Sequence, residues 1–542
     1  MKNVIFLFFF FSFSTGFCQS KKIQKIVNQG KELIQQNEYQ GAIDLFSKAI
    51  KKNDNVSEYY FWRGNANAFL EKFNNAIEDF DNSILYDTNL YDAYLRRGVI
   101  KNHLERHIDA LLDFNIVIKS NPKLAYGYAC RGDASHKLGY FDNALKDFNK
   151  SIEIDSTDYI SYYLRGKTKS SLFLYQDAIE DFDKAIVLNS NHADFYFGKA
   201  EAQIELKNYS EAMSNINLAI KIEPTTTEYY NKRGILNCTI EEYENAEKDF
   251  LLAIKIKPDF DGAYYNLGLA KHHQKKYYDA VACFNKAIEL NPKFASAYYN
   301  RANANEELKN LDEAIKDYNT TIKLNPNHIQ VYVSRAEVYM KQEKHKEAIS
   351  DFTYAIQQNK DNAATYFKRA SAKILMDSTT SAIHDLNVAI LKQHDYPEAY
   401  WLRGRANFTL GNYLKAIDDL NKAIELNPNL AYIYSDRGRT FSMLSKFSVA
   451  VKDFDKAIEL NPQEEKYYYY RGVTNTELKK YREAIDDLTI AIHYKPNDGD
   501  YFLKRGTALY LYGVTKMACK DWKMAKSLGQ ENADKVIKEY CE

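Results

Sequence analysis

Proline and glycine are scarce, nine and 21 in 542 residues, too few to build the loops of the several separate domains that a chain of this length ordinarily holds. So few breakers leave mostly helix. An excess of one charge is also missing. Lys and Arg total 73 and Asp and Glu total 73, a net charge of zero that argues against a polyanion-binding surface, and so against nucleic acid as a partner, and against a disordered acidic tail. Six cysteines are far below the density of a disulfide scaffold, and none stands in a CxxC or HExxH-type metal spacing. Long hydrophobic runs are absent as well. The apolar run from Val4 to Phe13 is too short to cross a hydrocarbon core of about 30 Å as a helix, so no transmembrane segment is expected. What is present is 45% apolar and 14% aromatic residues, 44 of them Tyr, which is too hydrophobic for disorder and enough to bury a long core.

Residues 1–20 read MKNVIFLFFFFSFSTGFCQS: one Lys, an apolar run, then small and polar residues. This is the pattern of a secretory signal peptide, assigned to residues 1–18 with cleavage near Cys18–Gln19. A lipid anchor at Cys18 is the alternative; against it, Phe17 stands where a lipoprotein signal wants a small residue. The mature chain is thereby expected outside the cytosol, periplasmic or secreted.

Sliding the remainder against itself gives a register of 34 residues that runs from Ile23 to Asn532 without insertion or deletion, fifteen units in all. With each unit numbered from 1 to 34, position 20 is Ala in all fifteen, from Ala42 to Ala518, and position 28 is Ile in fourteen, from Ile50 to Ile492. Position 4 is Tyr in thirteen, with Ile26 and Phe502 at the two ends, and position 8 is only Gly or Ala. Positions 4, 8 and 11 share one helical face, and 17, 20, 21, 24, 27 and 28 another, so each unit reads as two amphipathic helices joined by a short turn. Small residues at 8 and 20 let the two backbones approach. Glycine costs about 1 kcal/mol inside a helix, so its use at position 8 implies a steric demand. Eight of the nine prolines fall at position 32, where they end a helix harmlessly, and Pro397 opens a first helix.

These residues resemble the tetratricopeptide repeat family in period and pattern, over residues 23–532, with Tyr in place of the family's usual Trp at position 4. The resemblance implies an all-α solenoid, a right-handed superhelix of about fifteen 34-residue helix-turn-helix units. First helices would line a concave groove and second helices would face outward, each unit contacting mainly its neighbours. Residues 533–542 would close the array as a short capping helix.

An internal pair is visible within the one sequence. Twelve repeats carry Arg at position 7 and twelve carry Asp at position 23, and they are the same twelve. The three without Arg have Gln29, Lys199 and Leu267, and the three without Asp have Leu45, Asn215 and Cys283 in matching order. Independent placement would produce this agreement about once in 455 arrangements, so the two positions are read as partners in one repeat, for example Arg403 with Asp419. Solvated charges that merely recur by duplication are the alternative.

By the resemblance, positions 2, 5, 9, 12 and 13 of the first helix would face the groove. Position 5 is aromatic in eight repeats: Phe61, Tyr163, Phe197, Tyr265, Tyr299, Phe367, Trp401 and Tyr469. Aromatic rings in a concave surface suit an extended peptide or a helix, and the same rings could instead pad the seams between repeats. Members of the family that clamp chaperone C-termini use Lys at 5 with Asn at 9; here no repeat has Lys at 5, although Asn65 and Asn303 match at 9, so that clamp is not expected. His272 and His273, with Cys238 one repeat earlier and Glu306 and Glu307 one repeat later, would share the groove side, but stacked helices hold such positions too far apart to converge on a metal. No metal, no cofactor and no catalytic constellation is expected.

The last repeat departs from the rest, with Trp522 at position 24 and Lys526 at 28. A hairpin about Gly529 would bring Cys519 and Cys541 to one height, where outside the cytosol they could form a disulfide; two buried thiols are the alternative. The first repeat has no such cap, leaving an edge that could dock onto a second copy. The functional expectation is a non-enzymatic scaffold of the cell envelope that binds protein partners along the groove. Recognition of a non-protein envelope ligand such as a glycan, stacked on the same rings, is the alternative.

Overall fold

The computed structural model describes residues 21–358 and 362–541, so the expected leader and Cys18 lie outside the described residues. Among the described residues the chain is all-α, with 31 helices and no strand. The pair Pro397–Thr409 and Tyr413–Leu426, of 13 and 14 residues, is typical of the repeated unit. Pro397 sits in the first turn of its helix, where the missing N–H has no intrahelical partner to lose.

Small residues let the two helices of a pair close. At Gly98 an added Cβ would lie 2.7 Å from the Phe114 ring, and at Gly132 it would lie 2.8 Å from Phe148. Both rings are fully buried, so position 8 trades helix propensity for room for the ring at position 24.

The turn between the helices is set by position 15, which has positive φ in all fifteen repeats, from Asp377 at 56° to Gly513 at 96°. Gly411 N–H donates to Phe408 O and Asn412 N–H to Asn407 O, each at 2.9 Å, the paired bonds by which a left-handed residue ends a helix. Twelve of the fifteen residues there are not glycine and are held against a left-handed cost of roughly 1–2 kcal/mol each. Phe173, at φ 62° and 77% exposed, has little packing to offset that cost. Phe173→Gly is expected to stabilise the chain by about 0.5–1 kcal/mol, after the larger backbone entropy of glycine is subtracted. A lower urea midpoint in the variant would contradict the strain argument.

Stacking of repeats buries a second stripe. Positions 3 and 10 of every first helix from the second repeat onward are buried, among them Tyr59, Ala66, Tyr229, Leu236, Val331 and Val338. They pack against the preceding repeat: Tyr229 and Leu236 lie on Ala212, Ile216 and Ala219. In the first repeat these two positions are Lys25 and Glu32, both exposed. The N-terminal edge therefore presents charge where every later repeat buries a side chain.

The chain divides into two compact units, Met1–Gln274 and Lys275–Glu542. The first contains the first seven repeats and the first helix of the eighth, and the second contains the remainder. In the second unit the helix Asn532–Tyr540 lays Ala533 and Ile537 on the last repeat, beside Trp522, which is 1% exposed. A disulfide joins Cys519 to Cys541 with the Cα atoms 5.7 Å apart.

Candidate binding surface

The first helices carry the candidate surface, and an arginine fixes each of twelve of them. In all twelve repeats that have Arg at position 7, the guanidinium meets the aspartate at position 23 of the same repeat, with Nη2 2.5–2.9 Å from Oδ1. Arg403 and Asp419 are 2.6 Å apart in this way. The same guanidinium lies 5.3–5.8 Å from the ring at position 4 of its own helix, Tyr in eleven cases and Phe502 in the last. Its remaining arm crosses the seam. Nη1 donates to a side-chain oxygen at position 25 of the preceding repeat: Asn387 for Arg403 at 2.7 Å, Asp455 for Arg471 at 2.6 Å, Ser47 for Arg63 at 3.1 Å. Lys199, where Arg is missing, keeps only this last contact, reaching Asp183 at 2.6 Å. Asn215, where Asp is missing, donates to Gln203 instead.

The aspartates at position 23 are deeply placed. Burial pushes the carboxyls of Asp79 and Asp487 above their ordinary value, outweighing the hydrogen bonds from Arg63 and Asn67 to the first and from Arg471 and Asn475 to the second. At these two carboxyls desolvation exceeds the attraction, so the pair sets register more than it adds net stability.

With the helices fixed, the rings at position 5 fall at the seams. In the first unit Phe61 is 6% exposed and lies 5.9 Å from Phe80 and 5.2 Å from Trp62. Tyr163 is half-buried between Phe182 and Phe195, and Phe197 lies 4.7 Å from Tyr229 of the next repeat. Burial pushes the Tyr163 hydroxyl well above its ordinary value. Tyr265 is half-buried. In the second unit Tyr299 packs on His328, Phe367 on Tyr396, Trp401 on Tyr432 and Tyr469 on Tyr501, with centroids 4.8–5.2 Å apart. Trp401 Nε1 donates to Asp436 at 2.9 Å and the Tyr469 hydroxyl to Asp500 at 2.5 Å. Position 5 lies on the side of the helix away from the position 3 stripe, so its ring turns toward the following repeat and leaves only part of itself open.

Seam-crossing polar pairs accompany the rings. Lys232 at position 6 reaches Glu201 at position 9 of the preceding repeat at 2.9 Å, and Lys368 reaches Glu337 in the same relation. Opposite charge at positions 6 and 9 of successive repeats was the available signal in the sequence. Asn65 and Asn303 are spent internally: Asn65 donates to Phe61 O at 2.9 Å, and Asn303 Oδ1 accepts from the Tyr318 hydroxyl at 2.8 Å. Cys238 is half-buried, and burial pushes its thiol up to about 11. His273 stacks on Tyr243 at 5.2 Å, and in the second unit Glu306 accepts from Tyr318 and Lys341. Among the described residues no three side chains of His, Cys, Asp or Glu converge as a metal set.

Models of the tetratricopeptide repeat match residues 27–88, 127–158, 173–225, 262–294, 295–328, 329–362 and 397–430, together more than half of the chain. Among solved structures the chain is similar to the Cut9–Hcn1 hetero-tetramer of the APC/C, at 16% identity over 95% of each chain with a TM-score of 0.38. It is similar to a tetratricopeptide repeat protein from Parabacteroides merdae ATCC 43184, at 19% identity over 46% of this chain and 99% of that one, with a TM-score of 0.39. A third is YrrB, described as a TPR protein with an unusual peptide-binding site, at 21% identity over 34% of this chain and 95% of that one, with a TM-score of 0.30. No curated protein matches the chain.

Proposed function

The chain belongs to the tetratricopeptide repeat family, whose members generally mediate protein–protein interaction, and from that premise we propose that it is a non-enzymatic scaffold of the cell envelope that binds partner peptides or helices along its first helices. The observation that supports this most is the contrast within one helix. From the second repeat onward positions 3, 8 and 10 are buried and small or apolar in most repeats, whereas positions 9 and 13 change from repeat to repeat and carry much of the exposed chemistry. A surface held rigid by seams and varied at its open positions suits recognition of an extended chain. The leader sequence and the disulfide support a place outside the cytosol. Glycan stacking needs open ring faces, and these rings spend much of theirs against the next repeat, which favours a protein ligand.

The rings themselves are poor probes, because removing them opens the seams. Leu375, Met443 and Leu511, at position 13, are 60%, 55% and 47% exposed and can be changed without disturbing packing. The triple variant Leu375→Glu, Met443→Glu, Leu511→Glu is expected to keep its helical circular dichroism. It should lose, by at least about tenfold, the partners that the native chain captures from envelope extract. If both forms capture the same proteins equally, the first-helix surface of the second unit is not the contact.

A further inference from the structure

In the second unit, one stretch of the candidate surface holds unspent positive charge. Arg405 and Arg439, both at position 9 of consecutive repeats, line a small cleft of about 100 Å³ together with Phe408, Thr409, Leu420, Asp436 and Thr440. The Arg439 guanidinium lies over two rings, 5.1 Å from Phe408 and 4.9 Å from Tyr470, so first helices of three successive repeats hold it. Arg405 lies 5.0 Å from the Trp401 ring. Rings orient both guanidinium planes without using their N–H groups.

The carboxylate between them is insufficient for two cations. Among the described residues Asp436 is the only carboxylate within 4 Å of either. Arg439 Nη1 donates to it at 3.1 Å, while Arg405 Nε stands 3.8 Å away, too far for a hydrogen bond. Asp436 also accepts from Trp401 Nε1 at 2.9 Å. Each guanidinium carries five N–H donors, so most of the ten remain available, and the side chains are 52% and 35% exposed, against 17% for Asp436. The cluster carries a net single positive charge with two pre-oriented forks facing solvent.

We propose that Arg405 and Arg439 form a recognition site for a carboxylate of an extended partner peptide, received bidentately between the two forks with the neighbouring peptide side chain against Phe408. This rests on the reading of the first helices as a peptide-binding surface and names the chemistry of one subsite on it. The arrangement takes its cations from position 9 of two successive repeats, with no lysine at position 5. Asp436 serves as an internal competitor that keeps Arg439 ordered when the site is empty.

The test uses the full mature chain and three fluorescein-labelled peptides read by anisotropy at constant ionic strength. The first is Ala-Leu-Glu-Leu-Ala with an amidated end, the second has Gln for Glu, and the third has Gln and a free C-terminal carboxylate. The native chain is expected to bind at least one carboxylate-bearing peptide about tenfold more tightly than the neutral one, as one charge-assisted fork requires. Which of the two it prefers assigns the source as a side chain or a chain end. Arg405→Gln with Arg439→Gln is expected to abolish the preference. Asp436→Asn keeps an acceptor for Trp401 while removing the competing charge, and is expected to increase the preference by about tenfold. Equal binding of all three peptides, no binding at millimolar protein, or a preference unchanged in both variants overturns the site. If partner capture still depends on Leu375, Met443 and Leu511 when the carboxylate preference is absent, only the subsite fails and the binding surface stands.

Discussion

Replacing Arg403 with Met is expected to destabilise the chain by about 3–5 kcal/mol, and replacing Asp419 with Leu in the same molecule to recover most of that loss. The asymmetry follows from burial. The Asp419 side chain is 9% exposed and accepts from Arg403 Nε and Nη2 and from Asn407 at 3.1 Å. Without Arg403 a buried carboxylate keeps one neutral donor. The chain must then leave a charge uncompensated or take up a proton. With Leu at 419 there is no charge to compensate, and an apolar side chain fills the space between two helices already packed through Ala416 and Leu420. The raised carboxyls of Asp79 and Asp487 in the equivalent place point the same way: desolvation already consumes much of what the guanidinium provides.

A double-mutant cycle measures this directly. An array of repeats need not unfold in one step, so the readout is hydrogen exchange in the helices Pro397–Thr409 and Tyr413–Leu426, alongside the urea midpoint of the whole chain. Additive single effects would refute the coupling. Some non-additivity will remain unexplained by Asp419 alone, because Arg403 also holds Asn387 of the preceding repeat and covers Tyr400. One guanidinium thus ties its own second helix, the preceding repeat and its own helix face, and its loss should raise exchange in the helix Thr379–Lys392 as well.

The fold was legible in the sequence because a 34-residue period multiplies every weak signal by fifteen. A lone Ala or Gly says little, but Ala42 and its fourteen equivalents mark a close approach of backbones. Three features were hidden, each for a physical reason. The left-handed residue at position 15 is Lys, Glu, Phe or Ser more often than Gly, because the helix-ending hydrogen bonds and the packed helices on either side impose the conformation whatever the side chain. The third arm of each arginine was hidden because its acceptors, Ser47, Asp81, Asn115 and Thr353 among them, share an oxygen and not an identity.

The stripe at positions 3 and 10 was hidden because a solenoid packs its first helices on two sides, whereas the amphipathic pattern of an isolated helix pair needs only one. That second side decides how the surface is read. Position 5 looks free when only the contact with the second helix is considered, and becomes a seam once the next repeat is placed. The same stripe informs the first described repeat, where Lys25 and Glu32 stand exposed at the positions that later repeats bury.

Reducing the Cys519–Cys541 disulfide is expected to lower the stability of the closing segment by about 3 kcal/mol, the chain-entropy value for a loop of 22 residues. A helix of nine residues such as Asn532–Tyr540 is not stable alone in water, so its order depends on what holds it. Apart from the disulfide, it is held by Ala533 and Ile537 on the last repeat, by Tyr540 against Tyr510 at 4.5 Å, and by an exposed pair of Lys526 with Asp534. The exposed pair contributes little. Once the tether is cut, the remaining apolar contacts are too few to offset ordering nine residues. Trp522, buried on one side by this helix, then meets water, and the helix Thr515–Ser527 loses its outer neighbour. Hydrogen exchange before and after reduction should therefore rise steeply in Asn532–Tyr540, less in Thr515–Ser527, and not at all in a distant helix such as Tyr243–Ile256, since each repeat transmits stability mainly to its neighbours. Cys541→Ala should reproduce the reduced pattern without reductant. Unchanged exchange in the tail after reduction would mean that Ala533, Ile537 and Tyr540 suffice, and the disulfide would then cease to support a compartment outside the cytosol. The expected pattern would make the last repeat complete only where thiols oxidise, and would link the folding of this end of the array to export of the chain.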